Sequence, residues 1–378
     1  MKKFLTLALL WAALPVFAAP PAISLPPAPD LVARSYILVD LSSGQTLHQR
    51  GGDERVEPAS LTKLMTAYLT FSALRQGVIT PTQELPVSER AWRAEGSRMF
   101  IQPNTPVAVN DLIRGMIVQS GNDACITLAE GIAGSEEGFV RRMNLEAKRL
   151  GMNNTHFINS TGLPHPQHYT TAWDLSLLAR AIIRDFPEYY PLYSLKEYKY
   201  NNITQANRNR LLWQDPTVDG MKTGHTESAG FCLIASAKRE SRRLLTVVLG
   251  TSSESMRASE SQKLLNYGFQ NFDTHHLYQK GQVVATLPVW KGSENILKAG
   301  VARDFYVSLP KGQYARLKAS LVSKQPLLAP LAAGQQVGTI RLTLDDKPYA
   351  EYPLVAMEAV ARANFFKRGW DSVKLWFK

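Results

Sequence analysis

Cysteine is almost absent from this chain. Two occur in 378 residues, Cys125 and Cys232, each in an apolar stretch and with neither a Cys-x-x-Cys pair nor metal-ligand spacing. That excludes a scaffold stapled by several disulfides and gives no thiolate metal spacing; an exported chain permits one disulfide, but the apolar surroundings predict free, buried thiols that are not nucleophiles. Histidine clusters are equally thin. Proline interrupts His165-Pro166-Gln167-His168, and His275-His276 has no set of carboxylates or cysteines beside it, so both read as loop or surface residues. No metal and no cofactor is expected. Missing too are C2H2 spacing, an aromatic RNA-binding signature and a dense arginine run, which argues against nucleic acid as a partner. Acid falls short of base, 32 Asp+Glu against 43 Lys+Arg, for a formal net charge of +11. The acidic partners left open are an anionic membrane surface or an anionic polymer. No internal repeat is evident.

Long apolar runs are also lacking, except at the start. Lys2 and Lys3 precede the apolar run Phe4 to Leu14, and Val16-Phe17-Ala18 follows as a small-residue cleavage site. This order predicts a signal peptide over residues 1–18, too short for a comfortable membrane span, and hence an exported protein. Residues 19–33 then read as a proline-rich linker.

What remains is an ordinary globular composition, 45% hydrophobic and 20% charged, and long enough for two domains. Over residues 34–275 strands and helices are mixed. Tyr36 to Asp40 is strand-like and closes on a turn at Leu41-Ser42-Ser43-Gly44. Leu61, Leu64, Met65, Tyr68 and Leu69 recur at helical spacing after Pro58. Further helices are predicted over Leu112 to Val118, from Asn122-Asp123, and from Thr171 to Asp185; Phe231 to Ala235 and Leu244 to Leu249 read as strands. Helices grouped between early and late strands predict an α+β fold with an antiparallel sheet. Over 276–357 short alternating runs take over: Gln282 to Val289, Asp304 to Leu309, Arg316 to Val322, Thr339 to Leu344 and Tyr349 to Val355. These predict a small all-β domain.

Residues 358–378 form a third segment. At about 100° per residue Phe366, Trp370, Val373 and Phe377 share a stripe, with Phe365 and Trp376 beside it and Lys367, Asp371, Lys374 and Lys378 on another side. Leu375 falls off the apolar side. So aromatic a helix, with cations opposite, predicts an amphipathic anchor lying on a membrane surface rather than a helix docked on its own domain.

Three short motifs stand in order: Ser60-Leu61-Thr62-Lys63, Ser120-Gly121-Asn122 and Lys222-Thr223-Gly224. Ser308 to Lys311 and Ser293-Glu294-Asn295 repeat two of the patterns within the all-β stretch, with no Lys-Thr-Gly after them. A serine and a lysine three apart on a helix share one face, so Lys63 can reach the Ser60 hydroxyl. Serine needs a proton acceptor to become a nucleophile. Lysine can be one only when neutral, which from a pKa of about 10.4 requires roughly 4 kcal/mol at pH 7. Burial, the positive end of a helix and a second cation, Lys222, all push that way. Gly224 would let a substrate approach the backbone. The N–H groups of Ser60 and His225 could form an oxyanion hole.

In this order the motifs resemble those of the penicillin-binding proteins and serine β-lactamases. Their flanks, Pro58-Ala59-Ser60-Leu61-Thr62-Lys63, Leu112-Ile113-Arg114-Gly115 and Gln119-Ser120-Gly121-Asn122-Asp123-Ala124, and Asp219-Gly220-Met221-Lys222-Thr223-Gly224-His225-Thr226, resemble the low-molecular-mass D,D-carboxypeptidases. The resemblance covers essentially the whole chain. It implies a penicillin-binding/β-lactamase-like catalytic domain, Ser60 as acylated nucleophile, Lys63 as base and Ser120 as proton relay. It also implies Asn122, Lys222, Thr223, Gly224 and His225 around the substrate, with Arg257 and Arg208 for the substrate carboxylate or behind the strand. Peptidoglycan stem peptides are the implied substrate and β-lactams the implied covalent inhibitors, at the periplasmic face of the cytoplasmic membrane. Two alternatives are a β-lactamase and a peptidoglycan-binding module with a decayed site. No glutamate lies between Glu146 and Glu188, so the loop base of class A β-lactamases has no counterpart, and Asp174 reads as a helix start. Trp92, Trp213 and Trp290 are expected to serve packing.

Overall fold

The structure, a computed structural model, describes residues 27–377. The expected signal peptide and the linker up to residue 26 lie outside them. The first strands, β1 (Ser35–Asp40) and β2 (Thr46–Arg50), form a hairpin. They join three strands from much later in the chain, β3 (Val218–Thr226), β4 (Gly230–Arg239) and β5 (Arg242–Thr251). The order is β2-β1-β5-β4-β3 and every pairing is antiparallel. Between them lie α1 (Lys63–Arg75), α2 (Val109–Arg114), α3 (Asn122–Ala133), α4 (Glu136–Arg149) and α5 (Ala172–Asp185); α6 (Glu254–Asn271) follows the sheet. This is the α+β arrangement that the grouping of helices predicts.

Both faces of the sheet are covered, so its central strands read as continuous apolar runs. The period of two sorts them. Ile37 and Val39 of β1 and Leu245 and Val247 of β5 pack with α1, α3, α4 and α5. Tyr36, Leu38, Leu244 and Val248 face the other way, onto Leu264 and Leu265 of α6. Each fully buried side chain of this kind contributes about 1.5–3 kcal/mol. Helix starts follow capping chemistry: Ser135, Thr171 and Ser253 accept from the backbone N–H groups of Gly138, Asp174 and Met256. Asp174 thus sits in a first turn, its Oδ2 accepting from Asn154 N–H at 2.8 Å and the Thr155 hydroxyl at 2.7 Å.

Beyond α6 the chain turns to strands: β6 (Phe272–Tyr278), β7 (Val283–Trp290), β8 (Ile296–Gly300), β9 (Phe305–Pro310), β10 (Leu317–Ser323), β11 (Leu327–Leu328), β12 (Gln336–Leu344) and β13 (Lys347–Ala356). Strands β6 and β9 pair with each other, and the rest form a sheet in the order β10-β12-β13-β8-β7-β11. They enclose a separate core around Leu297, Val307, Ile340, Leu342 and Leu354. The Ser-x-x-Lys decoy belongs to the junction: the Ser308 hydroxyl meets that of Ser43 at 2.7 Å, and its N–H donates to Gln45 Oε1 at 2.7 Å.

The last helix, α7, is Phe365–Trp376. It starts later than expected, because residues 360–363 pair with the β7–β8 turn and with Leu331. Two of the tryptophans expected to pack are exposed, Trp92 at 36% and Trp213 at 48%, each within a four-residue helical turn, and Trp290 is half-buried. Cys125 and Cys232 are free and buried as predicted.

Candidate active site

Ser60 does not lie in the first turn of α1. It lies one turn earlier, in a 3-10 turn over Ala59–Thr62, and Lys63 is the first residue of α1. The spacing still brings the pair together, with Lys63 Nζ 2.8 Å from Ser60 Oγ. Ala59 takes φ of +47°, an uncommon value for a residue with a side chain. Glycines on two neighbouring segments pack against this turn. Gly162 has φ of +88°, and a Cβ there would stand 1.8 Å from the Ala59 carbonyl oxygen. Gly224 of β3 faces Ala59 and Leu61, where a Cβ would be 3.2–3.3 Å from both. Its smallness serves the approach of strand to the Ser60 turn, and Gly224 also lines the cleft beside Ser60.

Lys63 is wholly enclosed, at 1% exposure. Besides Ser60 it donates to the Thr161 carbonyl at 2.6 Å. That carbonyl is held in place from both sides. Asn159 Oδ1 accepts from the N–H groups of Thr161, Gly162 and Leu163, while Ser160 donates twice to Glu136 Oε1 and its carbonyl accepts from Thr66. Burial lowers the Lys63 ammonium to about 8, and the charge of Arg208 pushes the same way. Lys222 is itself pushed well below the usual lysine range, first by burial and next by the charge of Lys63.

Lys222 donates to Ser120 Oγ at 3.0 Å and to the Thr223 carbonyl at 3.0 Å. Ser120 ends the helical stretch that follows α2, in the left-handed region at φ of +67°, and is 3% exposed. Residues 102 apart in sequence are thereby joined across the cleft. Asn122, at the start of α3, spends its Nδ2 on the Glu95 carbonyl at 2.6 Å, while its Oδ1 is buried with no partner. Asp123 accepts from the N–H groups of Met99, Phe100 and Ile101 and so pins the loop that brings Gly96 and Ser97 to the site.

The cleft these segments enclose measures about 310 Å³. Ser60, Ser120, Thr223, Gly224, His225, Arg208 and Arg257 all line it, as do Gly96, Ser97, Phe231 and Glu254, which the motifs did not single out. The exposed His225 ring packs on Phe231 at 4.0 Å between centroids. Arg257 is 3% exposed and lies behind β3, donating to the Gly224 carbonyl at 3.3 Å and the Arg208 carbonyl at 3.4 Å. The exposed Arg208 makes no side-chain hydrogen bond or ion pair among the described residues and borders the opening. Glu254 is occupied by Arg210 and Arg257. Loop residues 159–170 contain no acid. The arrangement pairs a serine hydroxyl with an amine that is partly neutral near pH 7, a second amine–hydroxyl pair across the cleft, and a cationic rim.

Comparison with known proteins bears on the same geometry. Residues 23–253 match a peptidase S11 family described as D-alanyl-D-alanine carboxypeptidase, and residues 272–362 match the C-terminal domain of penicillin-binding protein 5. The D-alanyl-D-alanine carboxypeptidase DacC of Escherichia coli (strain K12) is 44% identical over 358 residues, covering 93% of this chain and 90% of that protein. Penicillin-binding protein 5 from Haemophilus influenzae superposes with a TM-score of 0.86 at 41% identity, covering 90% of this chain and all of that one. Penicillin-binding protein D2 from Listeria monocytogenes, solved in its ampicillin-bound form, matches at TM-score 0.60 and 30% identity over 65% of this chain and all of that one.

Proposed function

Because the chain belongs to the S11 family of D-alanyl-D-alanine carboxypeptidases, we propose that it removes the terminal D-Ala from peptidoglycan stem pentapeptides through an acyl-enzyme on Ser60. The observation that carries this reading is the 2.8 Å contact between the Ser60 hydroxyl and an enclosed Lys63 whose ammonium is lowered to about 8. In its neutral form Lys63 takes the Ser60 proton along that contact. Ser60 Oγ then attacks the carbonyl carbon of the penultimate D-Ala. The N–H groups of Ser60 and His225 receive the developing oxyanion, in a role such donors fill at about 2.7–4 kcal/mol each. The Ser120 hydroxyl passes its proton to the departing amine as the C–N bond breaks, and takes one back from the Lys222 ammonium that holds it. Water then hydrolyses the ester with the same amines managing its protons.

Around that centre, Thr223, Arg208 and Arg257 suit the terminal carboxylate, and the unpartnered Asn122 Oδ1 suits a substrate amide N–H. A β-lactam would acylate Ser60 in the same way, and its leaving group stays tethered after ring opening. With no acid in loop 159–170 to activate water, that adduct should persist. We assign residues 34–275 to catalysis and 276–357 to the all-β domain. The protein would be exported and held at the periplasmic face of the cytoplasmic membrane by α7. No helix among the described residues is long and apolar enough to cross a membrane. Phe365, Phe366, Trp376 and Phe377 are each at least 80% exposed, which supports a surface-lying anchor. Release of D-Ala from a pentapeptide by the wild type, and its loss in Ser60→Ala, tests the activity; an unchanged Ser60→Ala rate would overturn the assignment.

A further inference from the structure

A membrane helix on a leash needs residues without partners between it and its domain, and here none intervene. Val360 and Leu331 exchange backbone hydrogen bonds in both directions, at 2.9 and 3.0 Å. Ser293 N–H donates to the Ala361 carbonyl at 2.8 Å, Arg362 bridges Gly292, and Ala363 N–H donates to the Lys291 carbonyl at 2.8 Å. Asn364 then caps α7, accepting from Lys367 N–H at 3.0 Å. The chain is zipped to the β7–β8 turn up to the first helical residue. Gly292 permits the approach, since a Cβ there would stand 2.7 Å from Val360 Cγ1.

The helix itself docks along one narrow stripe. Lys367, Asp371 and Leu375 recur four apart, and they are the positions of α7 that are not exposed. Lys367 Nζ donates to the Ser293 carbonyl at 3.1 Å, and Asp371 Oδ2 accepts from Lys291 N–H at 2.6 Å. Asp371 is the one acid of α7 and is 8% exposed, so the fold removes from the helix surface the charge that anionic headgroups would repel. What faces outward combines the aromatics Phe365, Phe366, Trp370 and Trp376 with the cations Arg368 and Lys374, the latter lying over the Trp370 ring at 5.5 Å. The all-β domain is in turn fastened to the catalytic sheet through Ser308, which meets Ser43 and Gln45, and through strand β6 at the boundary, whose Thr274 donates to Asp40 at 2.5 Å.

We infer that α7 is a plate rather than a tether: Asp371 latches it to the β7–β8 turn, so a bilayer bearing anionic headgroups sets the orientation in which the cleft is presented. This rests on the reading of α7 as the membrane anchor, and Asp371 acts as a positioning residue. The test compares wild type, Asp371→Ala, and a protein with Gly-Ser-Gly-Ser inserted between Ala363 and Asn364. Each carries a maleimide dye on Thr82→Cys, an exposed turn position, the native cysteines being buried. On phosphatidylglycerol vesicles the wild type should keep a high residual fluorescence anisotropy. Both variants should lose that plateau while sedimenting with vesicles and releasing D-Ala from a soluble peptide as the wild type does. A wild-type plateau no higher than that of the insertion, with both bound, overturns the latch and leaves the anchor standing. Failure of the wild type to sediment overturns both, and dimerisation without vesicle binding would assign the aromatic face to a second copy instead.

Discussion

Replacing Gly162 by alanine should cripple the site without touching any residue of the three motifs. The new Cβ would stand 1.8 Å from the Ala59 carbonyl oxygen and 3.0 Å from the Ser60 nitrogen, in a backbone conformation at φ of +88°. Left-handed backbone costs a side chain about 1–2 kcal/mol. Relieving a backbone clash by shifting the loop costs about 1–3 kcal/mol more. The expected loss of stability is therefore about 2–5 kcal/mol. Any shift that relieves the clash also moves the Thr161 carbonyl, one residue away, from its 2.6 Å contact with Lys63. A displacement near 1 Å at a reacting pair lowers rates about 100-fold. Gly134→Ala is the control, because its φ of +76° is similar but nothing lies within 4 Å of the added Cβ. Thermal unfolding and the acylation rate with a fluorescent penicillin should be measured for both. The control should lose about 1–2 kcal/mol and acylate normally. A Gly162→Ala protein acylating at the wild-type rate would refute the claim that this glycine holds the nucleophile turn in place.

Acylation should speed up as pH rises through about 8, since the neutral form of Lys63 is the proposed base and its population falls below that value; Lys63→Arg should be nearly inactive across the range. A flat pH–rate profile would remove Lys63 from that role. His168, buried against Thr62 at 3.0 Å, is held down to about 4 by burial and then by His156 and His165. Unfolding frees it to bind a proton near pH 6.5, so the fold should lose about 3 kcal/mol as pH falls from 6.5 to 4. His168→Gln should flatten that part of a melting-temperature profile. Burial pushes the Cys125 thiol up to about 12. Maleimide should therefore label it only once urea unfolds the chain, and labelling of the folded protein would contradict the packing around α3.

The sequence pattern makes the broad architecture legible because periodicity reports burial. Ile37 and Val39 against Tyr36 and Leu38 sort cleanly to the two sides of one sheet, and Ile340 and Leu342 to the core of the other. The helices α4 and α6 escape the reading; both are rich in charged and polar residues, and only a part of each is buried. At the site, residue type and spacing single out Ser60, Lys63 and Lys222, the resemblance adds Ser120, and the fold brings the four to one cleft in two amine–hydroxyl pairs. The parts that position them do so through backbone atoms, which no side-chain pattern reveals. The carbonyls of Thr161 and Glu95 and the bare Cα of Gly162 are of that kind. Leu375, which spoils the amphipathic stripe in sequence, is half-buried and lies four residues beyond Asp371, on the side of the helix that the sequence pattern leaves unexplained.

The central claim is that Ser60 is acylated through Lys63 and that no loop acid clears the ester. Intact mass after penicillin treatment, followed by peptide mapping, addresses it most directly. One penicilloyl group per chain is expected, on the Ser60 peptide, still present hours after free penicillin is removed. No mass gain, label on Ser308 instead, or an adduct that clears within seconds would contradict it.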